Sequence, residues 1–248
     1  MRTLIHSPFE EVPPVLAGAR TIMKYARSER IQREALRVMK MLEPDKYLRW
    51  NIQFYETALE RFGTNWVHAD IMTALFAAAN ILHPANYLEI GTRRGRSLAQ
   101  VAAAAPGADL YSFDIWVSNY AGEENPGPRF VTNELRKTGY AREPRYINGN
   151  SHETLPKFFS ENPGMMFDLV CVDGDHERDG ALRDLMDVLP HLSIGGIIVF
   201  DDIMHPYHRY LREVWTEAVR RDAGLLVHEH TDTFPGVAIG VRYAASSI

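Results

Sequence analysis

Three aspartates and a histidine carry the first chemical suggestion in this chain. Asp173 follows the strand-like run 167–172, and Asp201 and Asp202 follow the run 196–200. If those runs are neighbouring strands, three carboxylates converge at one point. Uncompensated like charges at that distance repel, so a cation is expected among them. All-oxygen ligands favour a hard divalent ion, Mg²⁺ first, with Ca²⁺ or Mn²⁺ as alternatives. Two plainer roles compete: Asp202 capping a following helix and Asp173 hydrogen-bonding only a cofactor. His176 lies three residues beyond Asp173. An imidazole titrates near neutral pH and can take a hydroxyl proton, but it can also ligate metal or orient Asp175. His205 and His208 are alternative bases. His228 and His230 read as structural.

A second constellation lies upstream, in Glu89-Ile90-Gly91-Thr92-Arg93-Arg94-Gly95-Arg96-Ser97. Two glycines four apart let the backbone turn tightly and approach a ligand without Cβ clashes. A helix starting near Ser97 would offer free N–H groups to an anion. Nineteen residues after Gly95, Asp114 ends another apolar run, where a carboxylate can accept two hydrogen bonds from a ribose diol. Taken alone, such a loop is also an ordinary strand–helix turn. Its spacing, E-x-G-x-x-x-G-x-S, departs from the dinucleotide pattern G-x-G-x-x-G. Arg93, Arg94 and Arg96 read as a solvated loop face, with a contact to an acidic substrate or a partner subunit as the sharper alternative.

The elements that must position these residues follow from periodicity. Apolar residues at Leu16, Ile22, Met23, Ile31, Leu36 and Met39 predict helix over 15–42. Helices over 47–62, ending at Gly63, and over 67–82, stopping before Pro84, complete a helical first third. Strands are then predicted at 86–90, 109–115, 145–148, 167–172 and 196–200, with helices at 97–104, 178–189 and 208–219. That alternation indicates an α/β fold with a parallel sheet flanked by helices. Ligands then bind beyond the carboxyl ends of the strands. Strands at 225–230 and 237–243 are joined by only Thr231 to Gly236. A parallel crossover needs a dozen residues or more, so these two pair antiparallel or lie in different sheets.

Together the motifs resemble class I S-adenosylmethionine-dependent methyltransferases, in detail the catechol O-methyltransferase-like and macrocin O-methyltransferase-like branches (methyltransferase family 24 type). The matching segments are the Glu89–Ser97 loop, Asp114, Gly149-Asn150-Ser151-His152 with Leu155-Pro156, Val172-Asp173-Gly174-Asp175-His176, and the stretch from Leu189-Pro190 through Gly195-Gly196 to Asp201-Asp202. The resemblance covers about residues 67–243. It implies a Rossmann-like sandwich with a mostly parallel seven-stranded sheet and an antiparallel C-terminal strand. It also implies S-adenosylmethionine as methyl donor. Glu89, Gly91, Thr92 and Gly95 would line its methionine half, and Ser97 would bind its carboxylate. Asp114 would hold the ribose, Asn150 and Ser151 would sit at the adenine, and Asp173 would touch the cofactor. Asn150 departs from the acidic residue often found there. The resemblance further implies a divalent cation on Asp173, Asp201 and Asp202, holding an acceptor whose hydroxyl proton goes to His176.

Organisation follows: residues 1–66 are a helical extension, either lid or oligomer arm, and 67–248 the donor-binding domain. The loop 116–128 and the first helices should shape the acceptor pocket. The N-terminal apolar stripe suggests a homodimer. Composition is that of an ordinary globular protein, 46% hydrophobic and 24% charged, with a net charge of −5. There is no basic excess for nucleic acid and no apolar run long enough for a membrane helix. The first ten residues lack a signal-peptide pattern, so a cytoplasmic enzyme acting on a small-molecule acceptor is expected. The single cysteine, Cys171, excludes an intrachain disulfide and reads as a small core residue. The competing functions are a nicotinamide-dependent oxidoreductase and a non-catalytic member that binds cofactor or partner.

Overall fold

The computed structural model describes residues 17–119, 122 and 124–248. The sheet begins with β1 (Asn86–Ile90), β2 (Asp109–Asp114), β3 (Arg145–Asn148), β4 (Phe167–Val172) and β5 (Leu192–Phe200), all parallel. β6 (Leu225–His230) and β7 (Val237–Arg242) close it, with β7 antiparallel to both β5 and β6. The spatial order is β3-β2-β1-β4-β5-β7-β6. Strand order reverses between β1 and β4, so a crevice opens there at the carboxyl ends.

Register decides what lines that crevice. Ile90 pairs with Phe113 on one side and Val172 on the other, and Val172 pairs with Phe200. The residues one step beyond these therefore fall in one row: Asp114, Gly91, Asp173 and Asp201. Backbone hydrogen bonds continue the ladder into the row, from Gly91 N to Phe113 O (2.9 Å), Asp173 N to Ile90 O (3.0 Å) and Asp201 N to Val172 O (3.3 Å).

Helices cover both faces. On one lie α1 (Ala19–Ala26), α2 (Glu29–Met39), α3 (Lys46–Phe62), α4 (Ile71–Leu82), α5 (Arg96–Ala104) and α6 (Pro128–Lys137). Their buried side chains form one continuous cluster with Tyr87, Leu169, Cys171 and Val199 of the sheet. On the other lie α7 (Ser151–Glu161), α8 (Arg178–Val188) and α9 (Leu211–Arg221). α4 is buried from Ile71 to Ala79 and starts at a capping box between Asp70 and Thr73. Its alanines let α1 and α5 approach closely.

The structure corrects several expected elements. The pattern expected as one helix over 15–42 is two, because Ser28 stops the first and caps the second by accepting from Ile31 N. Residues 15 and 16 lie outside the described residues. Ile22, Met23, Ile31, Leu36 and Met39 are all buried within this one chain, so its own elements cover the stripe. Two further helices, α6 and α7, have weak sequence signals. Pro128 begins α6, where its missing N–H costs nothing. Pro156 lies inside α7. Its missing N–H leaves the His152 carbonyl without a helical donor, and Arg183 Nη2 supplies one at 2.6 Å.

Candidate active site

The glycine loop is fixed by close packing. Gly91 has φ +87°, and a Cβ there would lie 1.9 Å from the Asp173 carbonyl oxygen, so only glycine lets the β1 and β4 loops abut. Gly95 has φ +73° and leaves room for Val131 of α6. Thr92 ties the loop to β2 through its hydroxyl, 2.7 Å from that of Ser112. Asp114 accepts from Arg93 N at 2.6 Å with one oxygen and from Trp116 N with the other. Its carboxylate is thus held rigidly while lone pairs remain for a ligand. Glu89 is fully buried, with Oε2 accepting from the Tyr87 hydroxyl at 2.6 Å and Oε1 unpartnered. Burial pushes its carboxyl up to about 7, against the opposing pull of Tyr87.

Across the crevice stands the acidic cluster. His176 Nε2 lies 2.9 Å from Asp202 Oδ2 and 3.5 Å from Asp173 Oδ1. The ligand atoms of Asp173, His176 and Asp202 lie within 4.8 Å of one another. Asp202 adopts φ +61°, a turn that brings its side chain to His176. Asp201 lines the same cavity, 7% exposed and with Oδ1 unpartnered, but falls outside that trio. Burial pushes Asp173 up to about 8, with repulsion from Asp202 that His176 offsets only in part. Burial, then Asp202 and Asp173, also push Asp201 well up. For His176, burial alone would lower the imidazole. The hydrogen bond with Asp202 and the charges of Asp173 and Asp202 prevail and push it up to about 9. In the ion-free chain the imidazolium is the cation that the carboxylates require.

Both halves open into one cavity of about 1330 Å³. That exceeds the usual 300–1,000 Å³ of a single-ligand pocket, leaving room for two reactants. Residues 88–203 of the chain match the family described as "Methyltransferase domain". The chain carries a methyltransferase domain. No curated protein matches it. Among solved structures, TomG, an O-methyltransferase from Streptomyces achromogenes involved in tomaymycin synthesis and solved with S-adenosylmethionine, aligns with a TM-score of 0.57 at 20% identity, over 82% of this chain and 92% of TomG. An O-methyltransferase from Bacillus cereus solved with S-adenosylhomocysteine gives 0.55 at 14% identity, over 89% of this chain and 100% of that one. CalS11, a calicheamicin methyltransferase, gives 0.53 at 18% identity, over 87% and 92%. The fold is that of S-adenosylmethionine-dependent O-methyltransferases.

The residues of this methyltransferase domain fit such a donor. Glu89 offers a buried, unpartnered oxygen, Gly91 lines the cavity between Ile90 and Thr92, and Asp114 is a preset diol acceptor. Ser97, Asn150 and Ser151 line the same cavity. Asn150 also caps α7, accepting from His152 N at 2.9 Å. The donor set Asp173, His176 and Asp202 likewise fits a divalent cation, two carboxylates and one imidazole being ordinary ligands. Among the histidines, His205 also lines the cavity, whereas His208 hydrogen-bonds the Tyr210 hydroxyl at 2.9 Å.

Two findings refine the sequence reading, which expected the first helices at the pocket without naming their residues. The cavity's far wall comes from α3 (Tyr47, Trp50, Asn51 and Phe54), from His68 and Asp70, and from Thr233 to Pro235. The rings stack along α3, with Trp50 and Phe54 parallel at 5.4 Å. Their spacing was legible as one helical face, and Trp50 at 55% exposure marks it as a wall rather than core. The second finding is a correction. The arginines of the glycine loop are no solvated face: Arg94 and Arg96 are 8% and 7% exposed and share Asp45.

Proposed function

We propose that this chain transfers the methyl group of S-adenosylmethionine to a hydroxyl of a small-molecule acceptor, with a divalent cation, Mg²⁺ first, held by the acidic cluster. The observation that carries the reading is the meeting of Asp173, His176 and Asp202 in the cavity that the glycine loop also lines. In the transfer, the acceptor oxygen forms a bond to the methyl carbon as the carbon–sulfur bond breaks. The sulfonium becomes a neutral thioether, and the hydroxyl proton must leave. The chain's task is to align the reactants in line and assist that departure. Gly91 and Asp114 orient the donor, and α3 with the loop at 233–235 confines the acceptor. When bound, the cation would supply Lewis acidity that lowers the acceptor hydroxyl's pKa.

His176 takes one of two roles. As it stands, the imidazole keeps its proton at neutral pH and cannot accept another. Its position beside Asp173 and Asp202 suits the cation-binding set, where a bound cation would take the place of that proton. A base role is left to the state in which that proton has gone.

Three measurements test the reading. Calorimetry with S-adenosylhomocysteine and with NAD⁺ should detect only the first. Mn²⁺ binding followed by electron paramagnetic resonance should be lost in Asp202→Asn. His176→Ala should lose it too if the histidine is a ligand, and keep it if the histidine is only the base. Methyl transfer at full rate in EDTA would reject the cation. The similarity to TomG, which is involved in tomaymycin synthesis, and to CalS11, a calicheamicin methyltransferase, supports a small-molecule acceptor here. No observation favours the nicotinamide alternative.

A further inference from the structure

The far wall of the cavity holds a chain of hydrogen bonds that neither the donor residues nor the acidic cluster uses. His68, just before α4, is 1% exposed yet lines the cavity with Asp70 and Thr233. Its Nδ1 lies 3.0 Å from the Thr233 hydroxyl and its Nε2 3.4 Å from Asp70 Oδ2. Asp70 also accepts from Thr73 N at 3.1 Å and from the Tyr55 hydroxyl at 2.8 Å. Burial would raise its carboxyl, but His68, Thr73 and Tyr55 hold it below its ordinary value. An ionised carboxylate only accepts, so neutral His68 carries its hydrogen on Nε2 and offers a lone pair at Nδ1.

The Thr233 hydroxyl also lies 3.0 Å from a second imidazole nitrogen, His230 Nε2. That nitrogen accepts from Ala69 N at 3.2 Å, so it too presents a lone pair. One hydroxyl hydrogen therefore faces two ring nitrogens, and the chain is one proton short. A proton on His68 Nδ1 completes it. Nδ1–H then donates to Thr233, Thr233 turns its own hydrogen to His230, and Nε2–H donates to Asp70. His230 is the poorer site for that proton, since burial brings its imidazole down to about 4. The His68 ring lies parallel to Trp66 at 4.7 Å, on an aromatic face that favours a cation. The other titratable groups around this pair are Tyr55 of α3, and Asp232, Arg27 and His228 about His230. The Thr233 loop is tied to the acidic cluster's segment, because Pro235 O accepts from Met204 N at 2.8 Å, two residues past Asp202.

We propose that Thr233, His68 and Asp70 form a proton relay that takes the hydroxyl proton of the methyl acceptor. This rests on the hydroxyl methylation proposed above. The acceptor's proton passes to Thr233 Oγ1 as the Thr233 proton passes to His68 Nδ1. The oxygen–methyl bond forms, the carbon–sulfur bond breaks, and the sulfonium's positive charge ends on the His68 imidazolium beside Asp70. Thr233 is the residue that touches the acceptor, and Asp70 is a positioning residue that fixes the His68 tautomer.

The probe is 4-nitrophenol, a hydroxyl compound whose anion is yellow. It is added with S-adenosylhomocysteine and Mg²⁺ to the full chain labelled with nitrogen-15 histidine. Before the probe, nuclear magnetic resonance should show neutral His68 with its hydrogen on Nε2 and His230 with its hydrogen on Nδ1. Binding should turn the probe yellow and place a proton on His68 Nδ1. Thr233→Val should lower the ionised share of bound probe by roughly tenfold and leave His68 neutral, and Thr233→Ser should restore both. Asp70→Asn should lower the ionised share by roughly tenfold, and Asp70→Glu should recover part of it. A merely structural Asp70 would change affinity without changing ionisation. Unchanged affinity for S-adenosylhomocysteine shows that each variant is folded. Neutral His68 with its hydrogen on Nδ1, or a bound probe that leaves His68 unprotonated in wild type, overturns the relay. Wild type that binds neither S-adenosylhomocysteine nor the probe would instead sink the methyl-transfer reading itself.

Discussion

The two halves of the crevice are built on opposite electrostatic plans. On the donor side, polar groups are mostly satisfied before any ligand arrives. Asp114 accepts two backbone N–H groups, and Thr92 pairs with Ser112. On the acceptor side, Asp173, Asp201 and Asp202 crowd together, and the His176 imidazolium is the chief group that relieves them. A prearranged half binds a fixed partner with little reorganisation. An unbalanced half holds electrostatic potential that a cation or a developing charge can use. The same sheet register produces both, because it sets Asp114, Gly91, Asp173 and Asp201 in one row.

Four changes break or sharpen that contrast. His176→Ala removes the chief relief of the acidic cluster. Turnover should fall by about 10²–10⁴-fold while S-adenosylhomocysteine affinity stays within about twofold, so a large loss of donor affinity would mean the halves are not separable. Gly91→Ala strikes the point where they touch. With φ +87° and a clash against the Asp173 backbone, it should cost about 2–4 kcal/mol of stability and impair donor binding, read by urea unfolding and calorimetry.

Glu89 supplies a pH test of the donor side. Its folded value of about 7 lies above the ordinary 4.5. Between these pH values the folded state holds more protons than the unfolded, so stability is fullest below about 4.5 and falls as pH rises through 7. The expected loss is about 3 kcal/mol, read as the urea midpoint at pH 4.5 against pH 8. Glu89→Gln should remove that share of the dependence and leave the share of Asp173 and Asp201, whose carboxyls are also pushed up, so a profile as steep as wild type would place its origin elsewhere. The smallest effect belongs to Asp114→Ala. Losing the diol acceptor should weaken S-adenosylhomocysteine by about 1–3 kcal/mol without lowering turnover at saturating donor. A large fall in that turnover would give Asp114 a role beyond binding.

Much of this was legible in residue order. Glu89 to Ser97 form one contiguous loop after a strand, and strands β3, β4 and β6 lie where apolar periodicity put them. The misses share a cause. α6 and α7 carry a proline at or inside the helix, and the remedy, Arg183 on the His152 carbonyl, is distant in sequence. Arg94 and Arg96 read as solvated because their counter-charge, Asp45, lies about fifty residues upstream.

The sequence by itself determined the order of elements, the glycine positions that allow the β1 turn, and the carboxylates that end the strands. These depend on local sterics and periodicity, which neighbouring residues settle. Only the tertiary structure decided which charges meet. It buried Asp201, brought Asp202 to His176, raised the imidazole through two carboxylates, and folded α3 over the cavity so that Asp45 reached Arg94 and Arg96. Electrostatic interactions act through space over a few ångströms, and burial sets their strength. Neither distance nor burial is written in the order of residues.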